Sequence, residues 1–183
     1  MRAKFNINGV TIVIDATKIE YDSKNAHIHT VKEDDEFTFE AISCAARPVE
    51  FSIVNQLYTL DKHKVVEMCD YCNKNKALGV LSTNNYHLIL SPFVDRFTFF
   101  GEEQAQILTN GVIDICKERN IKSLRITQFC MLRSDVMPAY LQFKGIINAL
   151  TQRKDSSLTT VFFDVPEDHF YDLKILFGTY ENQ

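Results

Sequence analysis

The sequence is short of glycine, of long apolar runs and of excess basic charge. Only 6 of its 183 residues are glycine, and glycine-rich loops are how many α/β proteins bring backbone N–H groups close to a phosphate. No apolar stretch approaches the ~20 residues of a membrane-spanning helix. A net charge of −4 argues against the basic surface of a general nucleic-acid-binding protein. We therefore expect a cytoplasmic protein without a membrane contact.

Cysteine is present in an odd number, 5 residues in all. Four of them, Cys44, Cys69, Cys72 and Cys116, lie in or beside apolar runs, where free cysteine behaves as a small buried hydrophobe. The spacing of Cys69 and Cys72 matches zinc and redox sites, but no second pair follows, and the pair falls in the C-terminal half of a predicted helix. We interpret it as core packing in a reducing compartment and expect no metal or cofactor.

The histidines offer no catalytic arrangement. His27 and His29 share one face of a predicted strand, which leaves metal chelation open, but a surface position is the simpler interpretation because no third ligand is evident. His63, His87 and His169 have no recognisable nucleophile or carboxylate partner at a catalytic spacing. We therefore assign no general base.

Residues 1–47 have the pattern of antiparallel strands. Apolar residues alternate on both sides of a turn at Asn8 and Gly9, again on both sides of a turn at Asp22–Asn25, and once more over Phe37–Ile42. This part of the chain predicts an N-terminal antiparallel strand extension.

Residues 48–183 alternate between strand and helix. Strands are predicted at 49–54, 78–81, 87–90, 123–129 and 158–165, and helices at 61–75, 102–119, 138–153 and about 170–177. Crossovers of this length build a parallel sheet covered by helices. We predict an α/β fold in one domain, 1–183, with its α/β core at 48–183.

The order of elements over 49–177 resembles the macrodomain family, whose members bind ADP-ribose and often hydrolyse ADP-ribosyl groups. Val49–Asn55 is similar to the family's strand ending in Val-Asn, Tyr86–Pro92 to its central strand before a proline, and Glu118–Ile126 to the passage before its second phosphate loop. The resemblance implies a three-layer α/β/α fold with a mixed sheet. It also implies that ADP-ribose or an ADP-ribosylated macromolecule is the ligand.

Both signature loops of the family are altered in this chain. Gln56–Leu60 stands where the family has a second asparagine and glycines, and Cys130–Asp135 replaces its second glycine-rich loop. The aspartate that holds the adenine amino group in the family has no counterpart in Ser43–Arg47. Because backbone N–H groups approach a diphosphate less easily without glycine, either the ligand differs or the scaffold contacts another macromolecule.

Four residues are candidates for ligand binding. The resemblance implies that Asn55 faces the distal ribose; a structural turn asparagine is the alternative. Arg133, Ser134 and Asp135 precede a predicted helix, where a guanidinium, a hydroxyl and free N–H groups favour an anion. In the alternative, Ser134 or Asp135 only caps the helix and Arg133 is solvated.

Two hypotheses about function follow. In the first, the chain recognises ADP-ribose, an ADP-ribosylated macromolecule or a related nucleotide, and any hydrolysis uses a water held between ribose and diphosphate. In the second, a degenerate macrodomain scaffold is a non-enzymatic module that presents the aromatic segment Phe93–Phe100 to a protein partner. As an extension of these hypotheses, this chain would be an accessory protein of a virus or phage that counters a host defence based on ADP-ribosylation.

Overall fold

The computed structural model describes residues 1–17, 39–46, 61–83, 86–92, 101–127 and 139–181. Seven strands and four helices lie within these ranges. The strands are β1 Arg2–Ile7, β2 Val10–Thr17, β3 Ala41–Ala45, β4 Gly79–Ser82, β5 His87–Ser91, β6 Ser123–Thr127 and β7 Thr160–Pro166. The helices are α1 Lys62–Asn75, α2 Glu102–Glu118, α3 Ala139–Gln152 and α4 Glu167–Glu181.

These strands form one mixed sheet in the order β1-β2-β7-β6-β3-β5-β4. The inner strands pair in parallel, and the edge strands β1 and β4 are antiparallel to their neighbours. Helices cover both faces. α2, α3 and α4 pack on one face through the larger apolar cluster, and α1 packs on the other through a smaller one. The predicted three-layer α/β fold is therefore confirmed.

The predicted N-terminal hairpin is present as β1 and β2. Asn8 and Gly9 both have positive φ, 51° and 83°, as a two-residue hairpin turn requires, and Asn-Gly is the sequence that adopts this turn most readily. The Asn6 side chain accepts a hydrogen bond from the Gly9 N–H at 3.2 Å. β2 then pairs in parallel with β7, so the hairpin forms one edge of the main sheet. The second predicted hairpin lies outside the described residues.

The third strand differs from its prediction. Alternation over Phe37–Ile42 predicts a strand there, whereas β3 covers Ala41–Ala45, with Phe39 and Glu40 ahead of it. β3 is central and parallel to both neighbours, β5 and β6. A strand that is buried on both faces consists of a continuous run of small and apolar residues. It lacks the alternation of apolar and polar residues from which the strand position was predicted. The strand predicted at 49–54 lies outside the described residues.

Helix α1 confirms the interpretation of the cysteine pair. Asp61 caps its N-terminus by accepting a hydrogen bond from the His63 N–H at 3.0 Å. Cys69 and Cys72 lie on its buried face against β3 and β5, and the Cys72 thiol contacts the Leu90 carbonyl at 3.6 Å. Burial raises the pKa of Cys72 to about 11, so the thiol stays protonated and unreactive.

Helices α2 and α3 pack closely against each other on the larger apolar face. Gly145 of α3 lies against α2, where an added Cβ would overlap the Glu102 carbonyl oxygen and the Ala105 side chain. The absence of a side chain therefore sets the distance between these helices. None of the helices in the described part of the chain is long and apolar enough to cross a membrane.

Candidate functional site

The carboxyl ends of the parallel strands lie together along one side of the sheet, which we call its carboxyl-terminal edge. From β3 the chain passes to β4 and β5 on one side, then crosses to β6 on the other, so the strand order reverses at β3. In open α/β sheets, ligands bind in the crevice outside the carboxyl ends at such a reversal. The topology therefore makes the carboxyl ends of β3, β5 and β6 the candidate site.

Hydrogen bonds fix the floor of this crevice. The Ser91 hydroxyl, fully buried at the end of β5, donates to the Cys44 carbonyl of β3 at 3.3 Å. The Ala46 N–H donates to the Ser91 carbonyl at 2.8 Å. The Asn73 side chain of α1 donates to the Ala46 carbonyl at 3.1 Å. The point at which the chain leaves β3 is thus held from two directions.

A network of four charged side chains lies beside the crevice, on the α1 face of the sheet. Arg125 of β6 donates from Nε to Asp164 of β7 at 2.6 Å and from Nη2 to its second oxygen, a bidentate pair. The Arg125 guanidinium also lies 3.9 Å from Asp15 of β2. Arg2 of β1 donates to both oxygens of Asp15, at 2.5 and 3.2 Å. Across the four neighbouring strands β1, β2, β7 and β6 the order is therefore cation, carboxylate, carboxylate, cation.

This network is mostly removed from water. The side chains of Arg125 and Asp164 are only 5% and 9% exposed, and the Phe39 ring lies 5.6 Å from the Arg125 guanidinium. Burial raises the pKa of Asp164, and the charge and hydrogen bonds of Arg125 oppose that rise. Arg2 lies at the solvent end, with 36% of its side chain exposed. Asp15 is thus the carboxylate of the network that contacts its exposed arginine.

Comparison with solved structures identifies the architecture. The Oceanobacillus iheyensis macrodomain, solved with ADP, superposes with a TM-score of 0.63 at 14% identity, covering 98% of this chain and 97% of that one. The macro domain of ganglioside induced differentiation associated protein 2 gives 0.57 at 14% identity, covering 94% and 87%. The macrodomain of Thermus aquaticus DarG gives 0.53 at 11% identity, covering 75% and 96%.

The chain has the macrodomain fold. No family model matches the sequence, and no curated protein matches it. The comparison of structures therefore confirms, at the level of the fold, the resemblance that the order of elements suggested. The likeness spans nearly the whole chain.

The four site residues predicted from the sequence, Asn55, Arg133, Ser134 and Asp135, lie outside the described residues. Their connections, however, have defined starting points. The connection that contains Asn55 runs from β3 to α1, and the connection that contains the other three runs from β6 to α3. β3 and β6 are neighbours in this macrodomain sheet, so both connections leave the same edge.

The sequence prediction missed the four-charge network. A signal for it exists: Asp15 and Asp164 each follow three apolar residues, Ile12–Ile14 and Val161–Phe163, and Arg125 lies between Leu124 and Ile126. Charges at the ends of or inside buried strands are rarely tolerated unless they pair. Three such positions in one macrodomain sheet therefore indicate a mutual contact.

The remaining candidates from the sequence have separate outcomes. His27, His29 and Phe93–Phe100 lie outside the described residues. Within the described ranges, no group of three or more His, Cys, Asp or Glu side chains is arranged to hold a metal ion. His87, for which the sequence suggests no partner, contacts the Ser82 hydroxyl at 2.8 Å, at the opposite edge of the sheet from the crevice.

Proposed function

We propose that this protein binds ADP-ribose, or an ADP-ribosyl group carried by a macromolecule, in the crevice at the carboxyl ends of β3 and β6. The observation that carries this proposal is the macrodomain fold over nearly the whole chain. The Oceanobacillus iheyensis protein with this fold was solved with ADP, and a variant of it with ADPR. The reversal of strand order at β3 gives an independent reason to expect a ligand at this edge.

In this proposal Asn55 lies near the distal ribose, and Arg133, Ser134 and Asp135 lie near the diphosphate. The connections that contain these residues leave β3 and β6 side by side, which supports a shared site. Neither of the segments 56–60 and 130–135 contains glycine. Arg133 would then supply the positive charge that backbone N–H groups supply in glycine-rich loops.

Asp15 is the described residue with the chemistry to hold the adenine amino group. An ionised carboxylate has about four acceptor sites, and Arg2 uses two of them. Asp15 lies near the carboxyl end of β2 and is the more solvent-exposed aspartate of the network. An exocyclic amino group can therefore donate to it without displacing Arg2.

Thermal denaturation with ADP-ribose tests the proposal, since a ligand that binds only the native state must raise the melting temperature. We expect a larger shift with millimolar ADP-ribose than with AMP or NAD. Combined Asn55→Ala and Arg133→Ala substitution should abolish the shift. Arg153→Ala, which removes an arginine on the α3–β7 connection at the opposite edge, should preserve it. An unchanged affinity in the double variant would contradict the site assignment.

Calorimetry with two ligands tests the adenine contact separately. Asp15→Asn should weaken ADP-ribose binding while leaving ribose 5-phosphate binding unchanged, because only the first ligand has an adenine. Equal weakening of both ligands would show that Asp15 acts through the fold. Each variant is compared with its own melting temperature in the absence of ligand.

Hydrolysis and biological role are extensions of this proposal. Release of ADP-ribose from ADP-ribosylated protein or DNA would identify a hydrolase, and its absence from a binding-competent protein would identify a reader. A hydrolase would suit an accessory protein of a virus or phage that removes ADP-ribosyl groups added in host defence. Protection of a phage from such a defence by co-expression of this chain tests that role.

The second candidate function is a protein-interaction module. It is favoured by the glycine-free segments 56–60 and 130–135 and by the aromatic residues of Phe93–Phe100. If no nucleotide shifts the melting temperature, substitution of Phe97, Phe99 and Phe100 by serine should reduce capture of a protein partner. Unchanged capture by this triple variant would count against the module.

A further inference from the structure

A polar cluster lies at the amino-terminal edge of the sheet, opposite the crevice. Ser82 ends β4 and His87 begins β5, and the two residues are directly paired in the antiparallel register. The Ser82 hydroxyl lies 2.8 Å from Nδ1 of His87. Arg119, which follows α2, donates from Nη1 to the Ser82 hydroxyl at 3.4 Å. We call these three residues the Ser82 cluster.

The Ser82 cluster is open to solvent. Ser82 and Arg119 are exposed and His87 is partly buried. Each member of the cluster comes from the end of a rigid element, β4, β5 or α2, so the three side chains are positioned by the fold. None of them is used by the crevice at the other edge. The cluster is thus a preformed group of one hydroxyl, one imidazole and one guanidinium.

The hydrogen bonds define the state of the cluster. Burial and then the Arg119 charge lower the pKa of His87, while Glu40, which precedes β3, opposes them. The lowered pKa favours the neutral imidazole, and in the tautomer with Nδ1 unprotonated this nitrogen accepts the Ser82 hydrogen. Arg119 is a donor only, so the Ser82 oxygen accepts from it. In this state the cluster carries one positive charge, on Arg119.

Protonation of His87 would reverse the central hydrogen bond. A protonated imidazole donates from both nitrogens, so Nδ1–H would then donate to the Ser82 oxygen. The Ser82 hydrogen would then be released from His87, next to the Arg119 guanidinium that donates to the same hydroxyl oxygen. An anion at this place would receive the Ser82 hydrogen and the Arg119 N–H groups, and its charge would favour the protonated imidazole.

We propose that the Ser82 cluster binds a single phosphate group, in the form of inorganic phosphate or a phosphomonoester, together with a proton on His87. Guanidinium and hydroxyl groups are strong donors to phosphate oxygens. The net charge of −4 disfavours the repeated charges of a nucleic-acid backbone. The Glu40 carboxylate near His87 repels any anion, and Arg119 together with the protonated imidazole must offset this repulsion. This site is separate from the crevice and does not depend on ADP-ribose binding.

Nuclear magnetic resonance of the His87 imidazole, with inorganic phosphate as the probe, tests the proposal. We expect saturable shifts of the His87 signals and tighter binding at about pH 6 than at about pH 8, because bound phosphate favours the protonated imidazole and protonation is easier at the lower pH. Arg119→Ala should weaken binding about tenfold, as expected for loss of one charge-assisted contact. Arg153→Ala, which removes an arginine outside the cluster, should leave affinity unchanged. Unperturbed His87 signals at millimolar phosphate would overturn the proposal.

Two further variants separate binding from proton uptake. His87→Gln keeps a hydrogen-bonding side chain without the titration, so it should retain weak binding and a smaller pH dependence, of which the remainder comes from the second ionisation of the phosphate itself. Ser82→Ala should lose affinity at both pH values. A pH dependence as steep in His87→Gln as in the unsubstituted protein would overturn the coupling to His87. Melting temperatures without phosphate show whether each variant is folded.

Competing ligands define the ligand class. Phosphoserine should shift the His87 signals as inorganic phosphate does, because both present a phosphomonoester or phosphate dianion. ADP-ribose, whose phosphates are internal to a diphosphate, should leave these signals unchanged even when it binds the crevice. A short oligonucleotide that binds more tightly than inorganic phosphate would overturn the assignment to a single phosphate group.

Discussion

Where β2 pairs with β7, alternate residues of the same two strands point to opposite faces, and the two faces differ in chemistry. On one face Ile14 and Phe163 join the larger apolar cluster under α2, α3 and α4. On the other face Asp15 is paired with Asp164, and arginines from β1 and β6 lie beside them. The apolar face gains stability from any well-packed hydrocarbon, whereas the charged face is stable only if each partner is present.

The difference also concerns strand register. Side chains alternate with a period of two, so a one-residue slip of β2 against β7 would move Asp15 into the apolar cluster. Such a slip would also separate Asp15 from Arg125. Apolar residues alone tolerate many packings. The charged side chains therefore raise the free energy of any other strand register. The apolar face contributes most of the buried apolar surface.

The largest effect is expected from Arg125→Met. This substitution keeps much of the volume but leaves Asp164 and Asp15 buried without their shared cation, and breaking a buried pair in this way costs about 3–5 kcal/mol. Urea denaturation measures the loss in the free energy of unfolding. Arg125→Met combined with Asp164→Leu should recover most of it, because the uncompensated charge is gone. A double variant as unstable as the single one would show that packing, not charge, is at stake.

A smaller loss is expected from Gly145→Ala on the apolar face. The new Cβ would overlap the Glu102 carbonyl oxygen of α2, and overpacking of this kind costs about 1–3 kcal/mol. Gly178→Ala in α4 is the matched control, since nothing lies within 4 Å of its added Cβ. Alanine there should stabilise the helix by about 0.5–1 kcal/mol. Loss of stability in both variants would contradict the steric explanation.

The smallest effect is a pH dependence of stability. Because burial raises the pKa of Asp164, the folded chain binds this proton more readily than the unfolded chain. The stabilisation is complete below the unfolded value of about 3.9, and it is lost as pH rises through the folded pKa. Asp164→Asn removes this contribution. The slope of the free energy of unfolding against pH in this variant should therefore differ from the slope in the unsubstituted protein by less than about 1.4 kcal/mol per pH unit.

Asp155 provides a comparison of opposite sign. Hydrogen bonds from Arg153 and Lys117 hold the pKa of Asp155 well below its ordinary value. Its stabilisation is present above the unfolded pKa and is lost as pH falls. Asp155→Asn should therefore change the slope in the direction opposite to Asp164→Asn, and added salt should weaken this effect because the group is exposed. Slopes of the same sign would contradict the assignment of Asp164.

Much of the fold is predictable from the sequence because its periodic segments are long. α1 and α2 begin within one residue of their predicted starts, and β4, β5 and β7 lie within two residues of their predicted positions. β3 is the exception, since its small and apolar residues carry neither helical nor alternating periodicity. The local pattern thus locates the elements whose apolar residues form a clear stripe, an alternation or a continuous run with defined ends.

The sites are less predictable because they depend on contacts between distant residues. Arg125 and Asp164 are 39 residues apart, and no local pattern indicates which charges in buried strands will meet. The Ser82 cluster is similar: Ser82 and His87 are only five positions apart, but Arg119 joins them from another element. Asn55, which rests on the family resemblance, and Arg133, Ser134 and Asp135, which precede a predicted helix, remain predictions because they lie outside the described residues.

The pairing of β2 with β7 has a consequence for the order of events during synthesis. Thr11 lies opposite Thr160, so this half of the sheet cannot close until residue 160 has left the ribosome. At typical elongation rates that delay is on the order of ten seconds. During it the β1–β2 hairpin has no partner strand, and an isolated hairpin is only marginally stable in water. The apolar side chains of Ile12 and Ile14 are then open to chaperones.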